Sequence, residues 1–136
     1  MDRRDLQALS KARLIEAKAL LNSGLNDGAY YLAGYAVECA LKACIAKGSQ
    51  RHEFPDKQRA NASYSHNLRD LVRVAGLDAH LERGTQDARF RENWRIAQEW
   101  SEESRYKKNS REAAGALVAA IGDRRHGVIA WLKQCW

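Results

Sequence analysis

Apolar positions recur in steps of three and four along most of this chain, the spacing of helices that turn one face inward. Leu6, Leu9, Leu14, Ile15, Ala17, Leu20 and Leu21 predict a first helix ending near Asn22, capped by Asp2 or Asp5 and stopped by Gly24. Residues 29–47, AYYLAGYAVECALKACIAK, form the next helix, with Asn26 and Asp27 supplying cap oxygens and Gly48 placed to end it. So short a connection predicts an antiparallel hairpin.

This second helix is apolar on nearly every side, which suits the middle of a fold. At about 100° per residue, Tyr30, Gly34, Val37, Leu41 and Cys44 make a core stripe. Tyr31, Tyr35, Glu38, Lys42 and Ile45 make its neighbour, which sets an acid and a base on a mostly aromatic wall. Gly34, lacking a side chain, is expected to let another helix approach closely.

Residues 48–65 contain the single proline, Pro55, among polar residues, and read as the longest loop. His52, Glu53 and Asp56 have the look of a metal cluster, but no second histidine stands at ligand spacing, so a solvated loop is the reading. Ser65 is placed to cap a helix over 66–75, with Leu68, Leu71, Val72 and Ala75 inward and Gly76 closing it. Asp78 opens a further piece, and 86–99 brings Phe90, Trp94 and Ala97, with Trp100 beyond, to helical spacing. Arg91 and Arg95 are diluted there by Glu92 and Glu99, which predicts a salt-bridged surface. The polar stretch 101–111 ends that helix and holds Arg105, Lys107, Lys108 and Arg111, the densest basic run. Ser110 then caps one last helix of about 25 residues, on the order of 38 Å. Its apolar positions run from Ala113 to Trp136, with residues 124–126, RRH, on a solvated face. Trp136 is expected to be exposed or self-associating, and no alternating stretch suggests a strand.

A length of 136 residues fits one domain, 1–136, with a single core. No charge-free run reaches the 18 or so residues of a membrane span, and MDRRD has no apolar stretch behind it. A cytoplasmic protein with no membrane partner is therefore expected. Three cysteines without metal-ligand spacing read as reduced, structural thiols, and neither a metal nor a cofactor is expected. A net charge of +6 and a pI near 9.4 suit contact with phosphates or an acidic partner, although acids and bases interleave over most of the chain.

The central AGYAVECALKA, SHNLRDL opening the third helix, SRY ahead of the last one, and the all-helical order together resemble a HEPN (higher eukaryotes and prokaryotes nucleotide-binding) domain. The likeness spans roughly residues 14–131. It implies an all-α, up-and-down bundle of four to five helices with a long C-terminal helix, usually a homodimer. Implied partners are a small nucleotidyltransferase encoded alongside, RNA, or a nucleotide. Many members are metal-independent RNases, several of them toxins of toxin–antitoxin pairs. Their signature is Arg, four to six residues, then His, near the start of the last long helix. The histidine would move a proton during 2′-hydroxyl attack and the arginine would stabilise phosphorane charge.

Arg105 falls where that arginine would stand, yet Ser110, Arg111 and Glu112 fill the positions open to the histidine. Arg59 with His66 and Arg73 with His80 also fit the spacing, but fifteen arginines and four histidines produce such pairs by chance. What remains is Arg105 as the catalytic candidate, with Glu38, Lys42, Arg105, Tyr106, Lys107 and Lys108 as candidates for ligand binding. Glu38 and Lys42 make a favourable intrahelical pair. On so buried a helix, Glu38 is expected to reach beyond its own helix as well, with Arg105 as the expected partner. Tyr106 is suited to stack on a base, to donate to phosphate, or to pack at a helix corner. Three functions stay open: a non-catalytic binding module, an RNase in which Tyr106 or His66 replaces the missing histidine, and a structural dimeric adaptor.

Overall fold

The computed structural model describes residues 1–48 and 57–136, and among them there is helix and no strand. The first helix, α1 (Arg3–Asn22), begins at a capping box in which Asp2 accepts the Asp5 N–H and Asp5 accepts the Asp2 N–H. Gly24 follows at φ +75°, the left-handed conformation that ends a helix at low cost in glycine. The central helix, α2 (Asn26–Gly48), starts after one intervening residue, Leu25, so Asn26 and Asp27 lie in its first turn instead of preceding it as caps. Gly28 of α2 meets Leu20, while Ser10 Oγ donates to the Ala36 carbonyl at 2.8 Å, so the two helices run antiparallel as expected.

Twelve residues of α2 are buried, and five of them are alanines, whose small side chains let α1 and later helices come close. Short pieces follow: α3 (Lys57–Ala62), α4 (Leu68–Val74), α5 (Asp78–Gly84) and α6 (Ala88–Ala97). The expected long loop is therefore interrupted by α3. Asn67, not Ser65, caps α4, because its Oδ1 accepts the Asp70 N–H while Ser65 Oγ accepts the Asn67 N–H one step earlier. A 3₁₀ helix (Glu102–Tyr106) precedes α7 (Arg111–Gly122), whose N-cap is Ser110 as the sequence indicates.

The single long C-terminal helix does not form. After α7 the chain turns at 123–127 and resumes as α8 (Val128–Leu132), which with the short pieces gives eight α-helices among the described residues in place of four or five. Asp123 Oδ1 accepts the N–H groups of Arg125 and His126 at 2.9 and 2.7 Å, offering the backbone a turn in place of helix. A methyl group on Gly127 would lie 2.4 Å from the Asp123 carbonyl oxygen, so this tight return requires glycine. Asn93 fixes it by donating to the His126 carbonyl at 2.9 Å. Residues 124–126 thus sit in a turn and not along a helix face.

The core gathers Leu41, Leu68, Leu71, Leu117, Ile121 and Leu132 around α2. Gly34 does permit a close approach, but by the Trp100 indole and not by a helix: a methyl group there would sit 2.2 Å from three ring carbons. Trp136, expected to be exposed or self-associating, is half-buried against the core, with Lys11 Nζ 5.5 Å and Lys133 Nζ 5.9 Å from its ring. No described helix is long and apolar enough to cross a membrane.

Candidate functional site

Among the described residues, Glu38 is the one charged residue that is buried, 3% exposed. A carboxylate so placed requires partners, since leaving its charge unpaired out of water costs several kcal/mol, on the order of 3–5. Its Oε2 takes Lys42 Nζ at 3.3 Å along the same helix, which is the predicted intrahelical pair. Its Oε1 lies 2.9 Å from His66 Nδ1, and the other ring nitrogen, Nε2, stands 3.3 Å from Glu102 Oε2. Three elements are joined by this chain of contacts: α2, the turn that caps α4, and the 3₁₀ helix. The imidazole can donate to both carboxylates only when doubly protonated; as the neutral ring it donates to one.

His66 owes its position to the local turn. The Ser65 and Asn67 side chains fold the backbone just ahead of α4, which leaves the imidazole over the Glu38 stripe. Arg105 is not the residue that answers Glu38. Its guanidinium lies 4.8 Å over the Tyr106 ring. Tyr106 first, then the charges of Glu102 and Tyr31, hold Arg105 above its ordinary pKa. The ion pairs of Glu38 among the described residues are with Lys42 and His66, and none is with Arg105. The 3₁₀ helix packs on α2 as expected, but it presents Glu102 to the Glu38 cluster and turns Arg105 outward.

The wall beside this cluster is aromatic. Tyr31 stacks on Tyr35 with centroids 6.1 Å apart, and the Trp100 ring lies 6.0 Å from Tyr31. Burial, with help from the Glu38 charge, pushes the Cys39 thiol up to about 11. Burial, with Cys135 nearby, pushes Cys44 up to about 12. Thiols held so high are protonated at neutral pH and are poor nucleophiles, in keeping with a structural role.

Arg105, Tyr106, Lys107 and Lys108 form an exposed strip leading away from the cluster, and Tyr106 is 76% exposed. Its far end is tied down by Asp27, whose Oδ1 accepts the Asn109 N–H at 2.5 Å. Among the described residues, none of Arg105, Lys107, Lys108 or Arg111 has a carboxylate within ion-pair distance. Farther along, Arg95 is held by Glu92 at 2.7 Å and Glu99 at 3.5 Å, so that surface is salt-bridged as predicted.

Of the predicted site residues, Glu38 and Lys42 are in contact, Arg105 and Tyr106 are in contact, and Glu102 with His66 connects the two pairs. Sequence reasoning did not select Glu102, and it held His66 only as a replacement proton carrier. The signal that points to them is the buried acid itself, which obliges some cationic or protic group to come to it. No group of three or more His, Cys, Asp or Glu among the described residues could hold a metal ion, and His52, Glu53 and Asp56 lie outside those residues. No family model matches the chain, and no curated protein or solved structure matches it either.

Proposed function

We propose that this chain is a HEPN-like, dimeric helical bundle that binds single-stranded RNA along Arg105, Tyr106, Lys107 and Lys108, without cleaving it. The observation that carries this reading is a run of exposed cations with no acidic partner among the described residues, interrupted by an exposed aromatic ring. Free cations neutralise phosphates, and an exposed ring gives a base a surface to stack on. The paired cluster at Glu38 acts here as the anchor that holds the 3₁₀ helix, and so the strip, against α2. A nucleotidyltransferase partner would use the same cations against an acidic surface; RNA is favoured because Tyr106 adds a contact that acidic side chains do not need.

Fluorescence anisotropy with a labelled single-stranded RNA tests this. Binding is expected to weaken steeply with salt, and replacing Lys107 and Lys108 by Ala should lower the magnitude of the log–log salt slope by about 1.4. Tyr106→Ala should cost about 1–3 kcal/mol of binding. No binding at low salt, or binding unchanged in these variants, overturns the assignment.

One observation favours a second reading, a metal-independent RNase. His66 stands between two carboxylates, one of them three residues before Arg105 on the same 3₁₀ helix, and a carboxylate-oriented histidine is a general-base arrangement. RNA incubated with the protein in EDTA would then be cut, and His66→Gln and Arg105→Ala would each stop the cutting. Intact RNA, or cutting that both variants retain, removes these residues from any such chemistry.

A further inference from the structure

At the opposite end of α7 from Ser110, the turn at 123–127 and α8 close over a cavity of about 310 Å³ against α5 and the start of α6. We propose that this cavity binds a small organic oxyanion, a phosphate monoester or a carboxylate, at a site separate from the RNA strip.

Its inner wall is a pair of stacked rings, His80 and Trp131, with centroids 4.7 Å apart and planes 9° from parallel. Trp131 is 6% exposed, and its indole N–H is buried with no hydrogen-bond partner among the described residues. His80 Nε2 is in the same condition. Buried polar groups nearly always find partners, because leaving them unmade forfeits the full cost of their desolvation. Two such groups on the wall of one cavity point to a ligand that supplies what the chain does not.

Gly84 lies against the indole edge. A methyl group there would lie 3.2 Å from Trp131 Nε1 and 3.0 Å from a Phe90 ring carbon, crowding the donor.

The charge at the cavity selects an anion. Asp87 is the one acid in its lining, and both of its oxygens are engaged. Oδ1 caps α6 by accepting the Arg89 and Phe90 N–H groups at 2.8 and 3.3 Å, and Oδ2 stands 3.1 Å from His126 Nδ1. Arg83 and Arg125 also line the cavity, and neither has a carboxylate within ion-pair distance among the described residues. Two guanidiniums at the rim and a neutral N–H donor within make a receptor for oxygen-rich anions, to which arginine bonds in fork geometry. The aromatic wall and a volume at the lower end of small-molecule sites call for an organic body behind the anionic group.

The test is a ¹H–¹⁵N spectrum of the full chain, whose four tryptophans give separate indole signals, titrated with phenyl phosphate, with benzoate, and with neutral phenol. The Trp131 indole signal, assigned through the aromatic side-chain correlations, is expected to move with at least one of the anions and not with phenol. Which anion moves it decides between phosphate and carboxylate. Replacing both Arg83 and Arg125 by Ala, at exposed positions that leave the core intact, should weaken binding about tenfold or more. Gly84→Ala should abolish the shift. A Trp131 signal that is still with both anions, that follows phenol equally, or that titrates unchanged in the arginine variant overturns the proposal.

Discussion

The edge at Glu38 and the cavity at Trp131 are made of similar parts, a histidine or two, a carboxylate, nearby arginine and an aromatic wall, and they end in opposite electrostatic states. At Glu38 the polar groups answer one another: Lys42 and His66 take the buried carboxylate, and Glu102 takes the remaining face of the imidazole. At Trp131 the carboxylate is engaged by its own helix and by His126, while two arginines and two buried ring nitrogens lack partners among the described residues. A cluster that satisfies itself locks elements together, and its contribution to binding lies in what it positions. A cluster that does not satisfy itself keeps donors in place for something from outside. The difference separates a structural anchor from a receptor even where the residue lists look alike.

The strongest way to break this contrast is Gly34→Ala. The added methyl group cannot coexist with the Trp100 ring, so the residue leading into the 3₁₀ helix must move, at a cost of about 3 kcal/mol. Thermal unfolding should show the loss, and the Glu38 edge should loosen while the Trp131 cavity still titrates. Full stability in this variant would mean that Trp100 does not lie on α2. His66→Ala comes next: it leaves Glu38 with Lys42 alone and should destabilise by about 1–2 kcal/mol, less than a fully buried pair because the imidazole is half-exposed. Denaturant titration measures it, and a double-mutant cycle with Glu38→Gln should return a coupling near 1 kcal/mol. Zero coupling would mean the contact does no stabilising work.

A smaller effect belongs to the cavity side. The N–H groups of Phe90 and Arg89, and after them His126, hold the Asp87 carboxyl below the usual aspartate range. A folded-state value below the unfolded one contributes stability that is present above the unfolded pKa, about 3.9, and lost as pH falls through the folded value. Asp87→Asn keeps the cap but not the charge, so its melting temperature should lie slightly below that of the wild type at neutral pH, with the gap closing only below about pH 4. A gap that persists in stronger acid would point to lost shape and not lost charge. The smallest expected effect is chemical. Cys39 and Cys44, pushed up to about 11 and about 12, should resist alkylation in the native protein, while half-buried Cys135 reacts first. Mass spectrometry of partly labelled protein reads the order directly.

Much of the fold is legible in the chain because its causes are local. The Asp2 and Asp5 capping box, the positive-φ glycines at 24 and 76, the Ser110 cap and the alanine-rich α2 each act within a few residues of themselves. The end of the chain is less legible. Apolar steps of three and four continue across 123–127, and only the Asp123 side chain and the tightness at Gly127 reveal that the helix has stopped. The site divides the same way. Burial of Glu38 follows from its helix, but the identity of its partner depends on folding across 28 residues to His66, which periodicity does not encode. Arg105 was the expected partner on the expectation that packing brings the stretch around it against the Glu38 edge; the 3₁₀ helix instead presents Glu102 to the cluster.

The most direct test follows the ¹⁵N-labelled chain as single-stranded RNA is added, watching both regions in one spectrum. The account predicts that the backbone amides of Arg105, Tyr106, Lys107 and Lys108 move together and return with added salt, while the Trp131 indole stays still. Unmoved amides along the strip, or a response centred on Trp131, would contradict it.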